Sequence, residues 1–155
     1  MQKKFLFILL LIISGLFLAG WSRIEPIYNV DRVPISNNSN LTGSDIEKAI
    51  IRAGVQLGWQ MSKVQDGIII GTLYLRKHMA QVEIKYSNLN YSINYKESSG
   101  LDFSPEYKGI VCIKTDQWQP PKDCKETYSG ATIHRNYNGW IRNLEKAIKT
   151  QIELI

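Results

Sequence analysis

Residues 59–96 read WQMSKVQDGIIIGTLYLRKHMAQVEIKYSNLNYSINYK, and the period of this stretch decides the fold. Val82, Ile84 and Tyr86 alternate with Gln81, Glu83, Lys85 and Ser87. Beyond Asn88-Leu89, Tyr91, Ile93 and Tyr95 alternate with Asn90, Ser92, Asn94 and Lys96. A period of two with one apolar and one polar side marks strands of an antiparallel sheet covered on one face and wet on the other. Upstream, Trp59 to Gln65 and Ile68 to Arg76 flank Asp66-Gly67. That dipeptide between apolar runs is a strong hairpin signal, because glycine tolerates the positive φ of a two-residue turn. Lys77-His78 marks the next turn. The stretch therefore predicts four consecutive strands with short links, a meander.

The period changes to that of a helix on both sides. Ser44-Asp45-Ile46-Glu47 has the spacing of a capping box, with Ser44 as N-cap. Ile46, Ala49, Ile50, Ala53 and Leu57 then form one apolar stripe, and Gly58 suits the C-terminal end. At the far end, Asn138 is a candidate N-cap. Ile141, Leu144, Ile148, Ile152 and Ile155 form a second stripe, with Arg142, Glu145, Lys146, Lys149 and Glu153 off it. Two amphipathic helices need an apolar surface, and the meander offers one. The expectation is an α+β fold: a two-layer sandwich with a four-stranded antiparallel meander and an N-terminal and a C-terminal helix on one face.

The chain begins Met1-Gln2-Lys3-Lys4, followed by a nearly unbroken apolar run from Phe5 to Trp21. Two lysines, an apolar core and the small residues Ala19, Gly20 and Ser22 have the layout of an export signal. Phe5 to Gly20 is 16 residues, about 24 Å as a helix against a bilayer core of about 30 Å. That is short for a permanent span, so residues 1–22 are read as a signal peptide, with an N-terminal anchor as the alternative. Residues 23–43, with Pro26, Pro34 and Ser36-Asn37-Asn38-Ser39-Asn40, read as a flexible tether. Asn-x-Ser/Thr triplets begin at Asn37, Asn40 and Asn90; asparagine-rich sequence makes such triplets by chance. Residues 44–155 then form a single α+β domain.

Leu18-Ala19-Gly20 resembles the first three positions of a bacterial lipobox, whose fourth position is the lipidated cysteine. Trp21 stands there instead and has no thiol to form a thioether. The chain is similar to small bacterial envelope lipoproteins of uncharacterised function. The resemblance implies export to the periplasm or cell envelope, with membrane association through the N-terminal segment and an unknown envelope protein as partner.

Cys112 and Cys124 are the two cysteines of the chain. In an exported protein an even count reads as a disulfide. A loop of this size closed by a disulfide gains roughly 3 kcal/mol from the restricted unfolded chain. The bridge would staple an insertion at about 102–134 that carries Trp118 and Tyr128, two candidate partner contacts, since Trp and Tyr dominate interface hot spots.

The chemistry of the chain is sparse. The net charge of +5 at pH 7 is mild and scattered, which argues against nucleic acid as a partner. His78 and His134 with the two cysteines lack metal-ligand spacing. A Cys/His nucleophilic pair would need a cysteine that the disulfide consumes. No carboxylate spacing marks a general acid and base, and Gly67 to Gly71 lacks the Lys-Ser/Thr of a phosphate loop. No catalytic residue, metal or cofactor is assigned. The expected role is an exported, non-catalytic binding or assembly protein. The alternatives are a membrane-anchored accessory subunit or a small periplasmic enzyme.

Overall fold

The computed structural model describes residues 23–35, 41–111 and 126–155. The signal segment with Trp21, the triplet at Asn37, Asn40 itself, Trp118, Cys112 and Cys124 lie outside the described residues.

Among the described residues, eight strands and two helices follow in the order β1 (Ile24–Pro26), β2 (Val30–Pro34), α1 (Gly43–Gln56), β3 (Gln60–Gln65), β4 (Ile68–Leu75), β5 (His78–Tyr86), β6 (Asn90–Ser99), β7 (Ser104–Val111), β8 (Glu126–His134) and α2 (Arg135–Glu153). The strands make two antiparallel sheets. One has five strands in the order β2-β6-β5-β4-β3; the other has three, β1-β8-β7. The expected four-stranded sandwich is thus overturned. Strands β3 to β6 pair consecutively, but β2 adds a fifth strand beside β6, and a second sheet stands where a loop insertion was expected.

The N-terminal residues contribute a strand to each sheet. Residues 23–35 are not a tether. Ile24 pairs with His134 and Val30 with Ile93, and Val30 and Ile35 are buried at 3% and 6% exposure. Three hydrogen bonds from one buried side chain hold the link between β1 and β2. The Tyr28 N–H donates to Asn138 Oδ1 at 2.9 Å, and Asn138 Nδ2 donates to the Pro26 carbonyl at 2.9 Å and to Glu25 Oε2 at 3.2 Å. Asn138 therefore does not cap α2. It lies within the helix and fixes the incoming chain to it, which satisfies its amide in the interior. The cap is His134, whose Nδ1 accepts from the Asn136 N–H at 3.2 Å.

The expected insertion is likewise ordinary sheet at both ends. Ser104–Val111 and Glu126–His134 are β7 and β8, and Leu101, Val111 and Ile133 are buried. Helix α1 also starts earlier than expected. Thr42 is its N-cap, the Asp45 N–H donates to Thr42 Oγ1, and the Asp45 carboxylate accepts from the Thr42 N–H. Thr42 to Asp45 has the same i to i+3 spacing as Ser44 to Glu47, and Glu47 is engaged elsewhere.

The inner face of the large sheet carries Ile69 and Leu73 of β4, Ala80, Val82 and Ile84 of β5, and Tyr91 and Ile93 of β6. It shares one core with Ile46, Ala49, Ile50 and Ala53 of α1 and Ile141, Leu144, Ile148 and Ile152 of α2. Burying a side chain of this size stabilises by about 1.5–3 kcal/mol. Tyr95 of β6 stacks on Phe103 of the β6–β7 link at 4.3 Å and meets the edge of Tyr137 of α2 at 5.7 Å. Both edges of the large sheet are irregular: β2 has a bulge with Arg32 at φ 41 and ends at Pro34, and β3 shifts register between Lys63 and Gln65. Such edges disfavour strand addition by another chain.

Candidate functional site

Polar groups converge in three places. The first is an open cleft of about 370 Å³ at the start of α1, lined by Ser44, Glu47, Lys63, Asp66 and Tyr86 among others. Capping by Thr42 turns Glu47 toward the β3–β4 hairpin. There it accepts from Tyr86 Oη at 2.6 Å and pairs with Lys63 Nζ at 2.9 Å; Lys63 also pairs with Asp66 at 2.8 Å. Glu47, Lys63, Asp66 and Tyr86 are each matched by another of the four. The Tyr86 hydrogen bond, and then Lys63, hold the Glu47 carboxyl below its usual range. Asp66, and then Glu47, raise the Lys63 ammonium above its own. A lysine held protonated is neither base nor nucleophile, and ionised carboxylates do not donate protons. The cluster ties a helix start to a hairpin.

The second place is the junction of the two sheets, where β5, the β6–β7 link and the start of α2 bring both histidines of the chain together. His78 Nδ1 lies 2.6 Å from the Gly100 carbonyl oxygen, and its ring is 6.5 Å from that of Trp140. Gly100 has φ +69, and a Cβ there would meet the Lys77 carbonyl oxygen at 3.0 Å and His78 Nδ1 at 3.1 Å, so this approach requires glycine. His134 caps α2, and its own N–H donates to the Leu101 carbonyl at 2.8 Å. Burial pushes the His134 imidazole below its ordinary pKa; His78, Arg135 and Arg23 act in the same direction, and Asp102 opposes them. A cap that accepts through Nδ1 has to be unprotonated there. Among the described residues, no three His, Cys, Asp or Glu side chains are placed to hold a metal ion.

The third place is the β7–β8 hairpin, which holds Tyr128. Tyr107 faces Gly130 across the ladder, and Gly109 faces Tyr128. Each tyrosine also lies over the glycine two residues along its own strand: a Cβ on Gly109 would meet the Tyr107 ring, and one on Gly130 the Tyr128 ring. Tyr128 Oη donates to the Ala131 carbonyl at 3.0 Å and Tyr107 Oη to the Ile110 carbonyl at 3.3 Å. The result is a square of two half-buried rings and two glycines on one face of the ribbon, with both rings held flat against the backbone. Glycine leaves the space that each ring fills. Tyr128 was legible as an aromatic residue in a polar segment. Tyr107 was missed, because only the strand register places it beside Tyr128; the Tyr-x-Gly spacing shared by 107–109 and 128–130 is the one signal that could have found it.

Val111 and Glu126 face each other across the same ladder. The positions next to Cys112 and close to Cys124 are therefore brought together by main-chain pairing. Among the described residues, no helix is long and apolar enough to cross a membrane. Comparison with protein families, with curated proteins and with solved structures finds no match to this chain.

Proposed function

We propose that this chain is an exported, envelope-associated binding or assembly protein of lipoprotein-like type, acting without catalysis. The observation that carries this reading is the Tyr107–Tyr128 square. Two rings held by their hydroxyls and backed by glycine form a rigid aromatic surface, and rigid Tyr surface loses little side-chain entropy on binding. The leader-like run from Phe5 to Trp21 supports export. The Val111–Glu126 pairing brings the two chain positions that flank the Cys112–Cys124 segment together, which supports a bridge between these cysteines.

Cell fractionation with intact-mass measurement and thiol titration tests the compartment. The expected result is an envelope or periplasmic chain lacking about 22 residues, with no free thiol. A cytosolic chain with both sulfurs reduced overturns the proposal. A photo-crosslinking residue placed at Tyr128 tests the surface. It is expected to capture one defined envelope partner that the same residue at Lys48, on α1, does not capture.

A further inference from the structure

The end of the molecule from which the apolar N-terminal run departs is fixed by hydrogen bonds. The Arg135 N–H donates to the Arg23 carbonyl at 2.8 Å, and Ile24 pairs with His134. The His134 N–H in turn bonds the Leu101 carbonyl, and Gly100 lies against His78. His78 closes the β4–β5 hairpin opposite Leu75. Arg23 and the hairpin tip Tyr74-Leu75-Arg76-Lys77 thus belong to one end of the domain, and only Ser22 separates Arg23 from the run that ends at Trp21.

This tip has an unusual composition for a hairpin turn. Tyr74 is 63% exposed and Leu75 45%. Arg76 and Lys77 follow, both exposed, with Arg76 at φ 56. Exposed Arg23 and half-buried Arg135 add two more cations, against Asp102 and Glu97 as nearby exposed carboxylates. Among the described residues, none of the four cations has a carboxylate within ion-pair distance. A tyrosine and a leucine bordered by unpaired basic side chains match the layering of an anionic bilayer surface. Phosphates take the cations, and the boundary between headgroups and acyl chains takes the amphipathic ring.

We propose that this end of the domain meets an anionic lipid bilayer, with Tyr74 and Leu75 entering the headgroup layer and Arg23, Arg76, Lys77 and Arg135 on the phosphates. The inference rests on the envelope-associated reading above. It places the Val111–Glu126 end of the β7–β8 hairpin away from the membrane: β7 runs eight residues from Ser104 to Val111, about 23 Å at strand rise.

The test is binding of the full chain to phosphatidylcholine vesicles with and without phosphatidylglycerol, with amide hydrogen exchange read at residues 74–78. Anionic vesicles are expected to slow exchange at these amides, and neutral ones are not. An anionic surface is worth about fivefold in affinity per basic residue. The double variant Arg76→Asn/Lys77→Gln is therefore expected to lose roughly 25-fold in affinity for anionic vesicles, and asparagine suits the positive φ at 76. The control Lys48→Gln/Lys108→Gln removes the same charge elsewhere and is expected to keep most of the binding. Equal losses in the two double variants overturn the proposal, as do unchanged exchange at 74–78 or self-association through the tip in place of lipid binding. Melting curves show whether each variant is folded. A chain that passes this test yet is found reduced in the cytosol overturns the export reading and leaves the lipid surface standing.

Discussion

Asn138 and Tyr137 are neighbours in sequence and both buried, yet their polar atoms have opposite standing. The Asn138 amide serves Tyr28, Pro26 and Glu25. The Tyr137 hydroxyl finds no hydrogen-bond partner among the described residues. Asn138→Ala leaves the half-buried Tyr28 N–H and Pro26 carbonyl without these partners, at about 1–3 kcal/mol for a fully buried group and less for these, so a loss of about 2–4 kcal/mol is expected. Tyr137→Phe removes an unmatched hydroxyl and keeps the ring against Tyr95, so it is expected to be neutral or to gain up to about 1 kcal/mol. Urea unfolding reads both: the midpoint falls for the first and holds or rises for the second, with unchanged slope. A midpoint unmoved by Asn138→Ala would show that the link between β1 and β2 contributes nothing. None of this was readable from residue type. Asn138 sits just before an apolar stripe, where asparagine is an ordinary cap, and its real partners lie more than a hundred positions away.

The elements that sequence reading found are those whose information is local. The β3–β4 hairpin turns at Gly67, with φ +78, β5 buries Ala80, Val82 and Ile84, and β6 buries Tyr91 and Ile93. Helical stripes and the alternation of β5 are properties of adjacent residues. Strands β1, β2, β7 and β8 carry no such pattern. They contain Pro26, Pro34, Pro105, Gly109 and Gly130 and owe their conformation to distant partners, which overrides weak strand propensity. Helix α2 shows a further local device, the histidine cap. The folded pKa of His134 lies below that of the unfolded chain, so the unfolded state binds more protons as acid is added. The cap's contribution is present above about pH 6.5 and is lost as pH falls through the folded value. His134→Asn keeps a capping side chain without titrating. Urea midpoints of the wild type should fall more steeply than those of His134→Asn as the pH is lowered from about 6.5. Parallel curves would remove His134 from the acid response.

At the scale of the whole molecule, the N-terminal strands serve both sheets, β1 beside β8 and β2 beside β6. Deleting residues 23–41 removes buried Val30 and Ile35 and leaves Asn138 without partners. Two such side chains are worth about 3–6 kcal/mol, and the lost hydrogen bonds add to that, against a total stability of roughly 5–15 kcal/mol. The truncated chain is expected to lose its cooperative thermal transition and near-ultraviolet circular dichroism. Retention of an unchanged melting temperature would restore the tether. The same pairing of Ile24 with His134 sets the timetable of folding. The first strand made has to wait for one of the last, and pairing over so long a sequence separation is slow. Until residue 134 has been made the small sheet cannot close, whereas the strands of the large sheet are all present once Ser99 has been added.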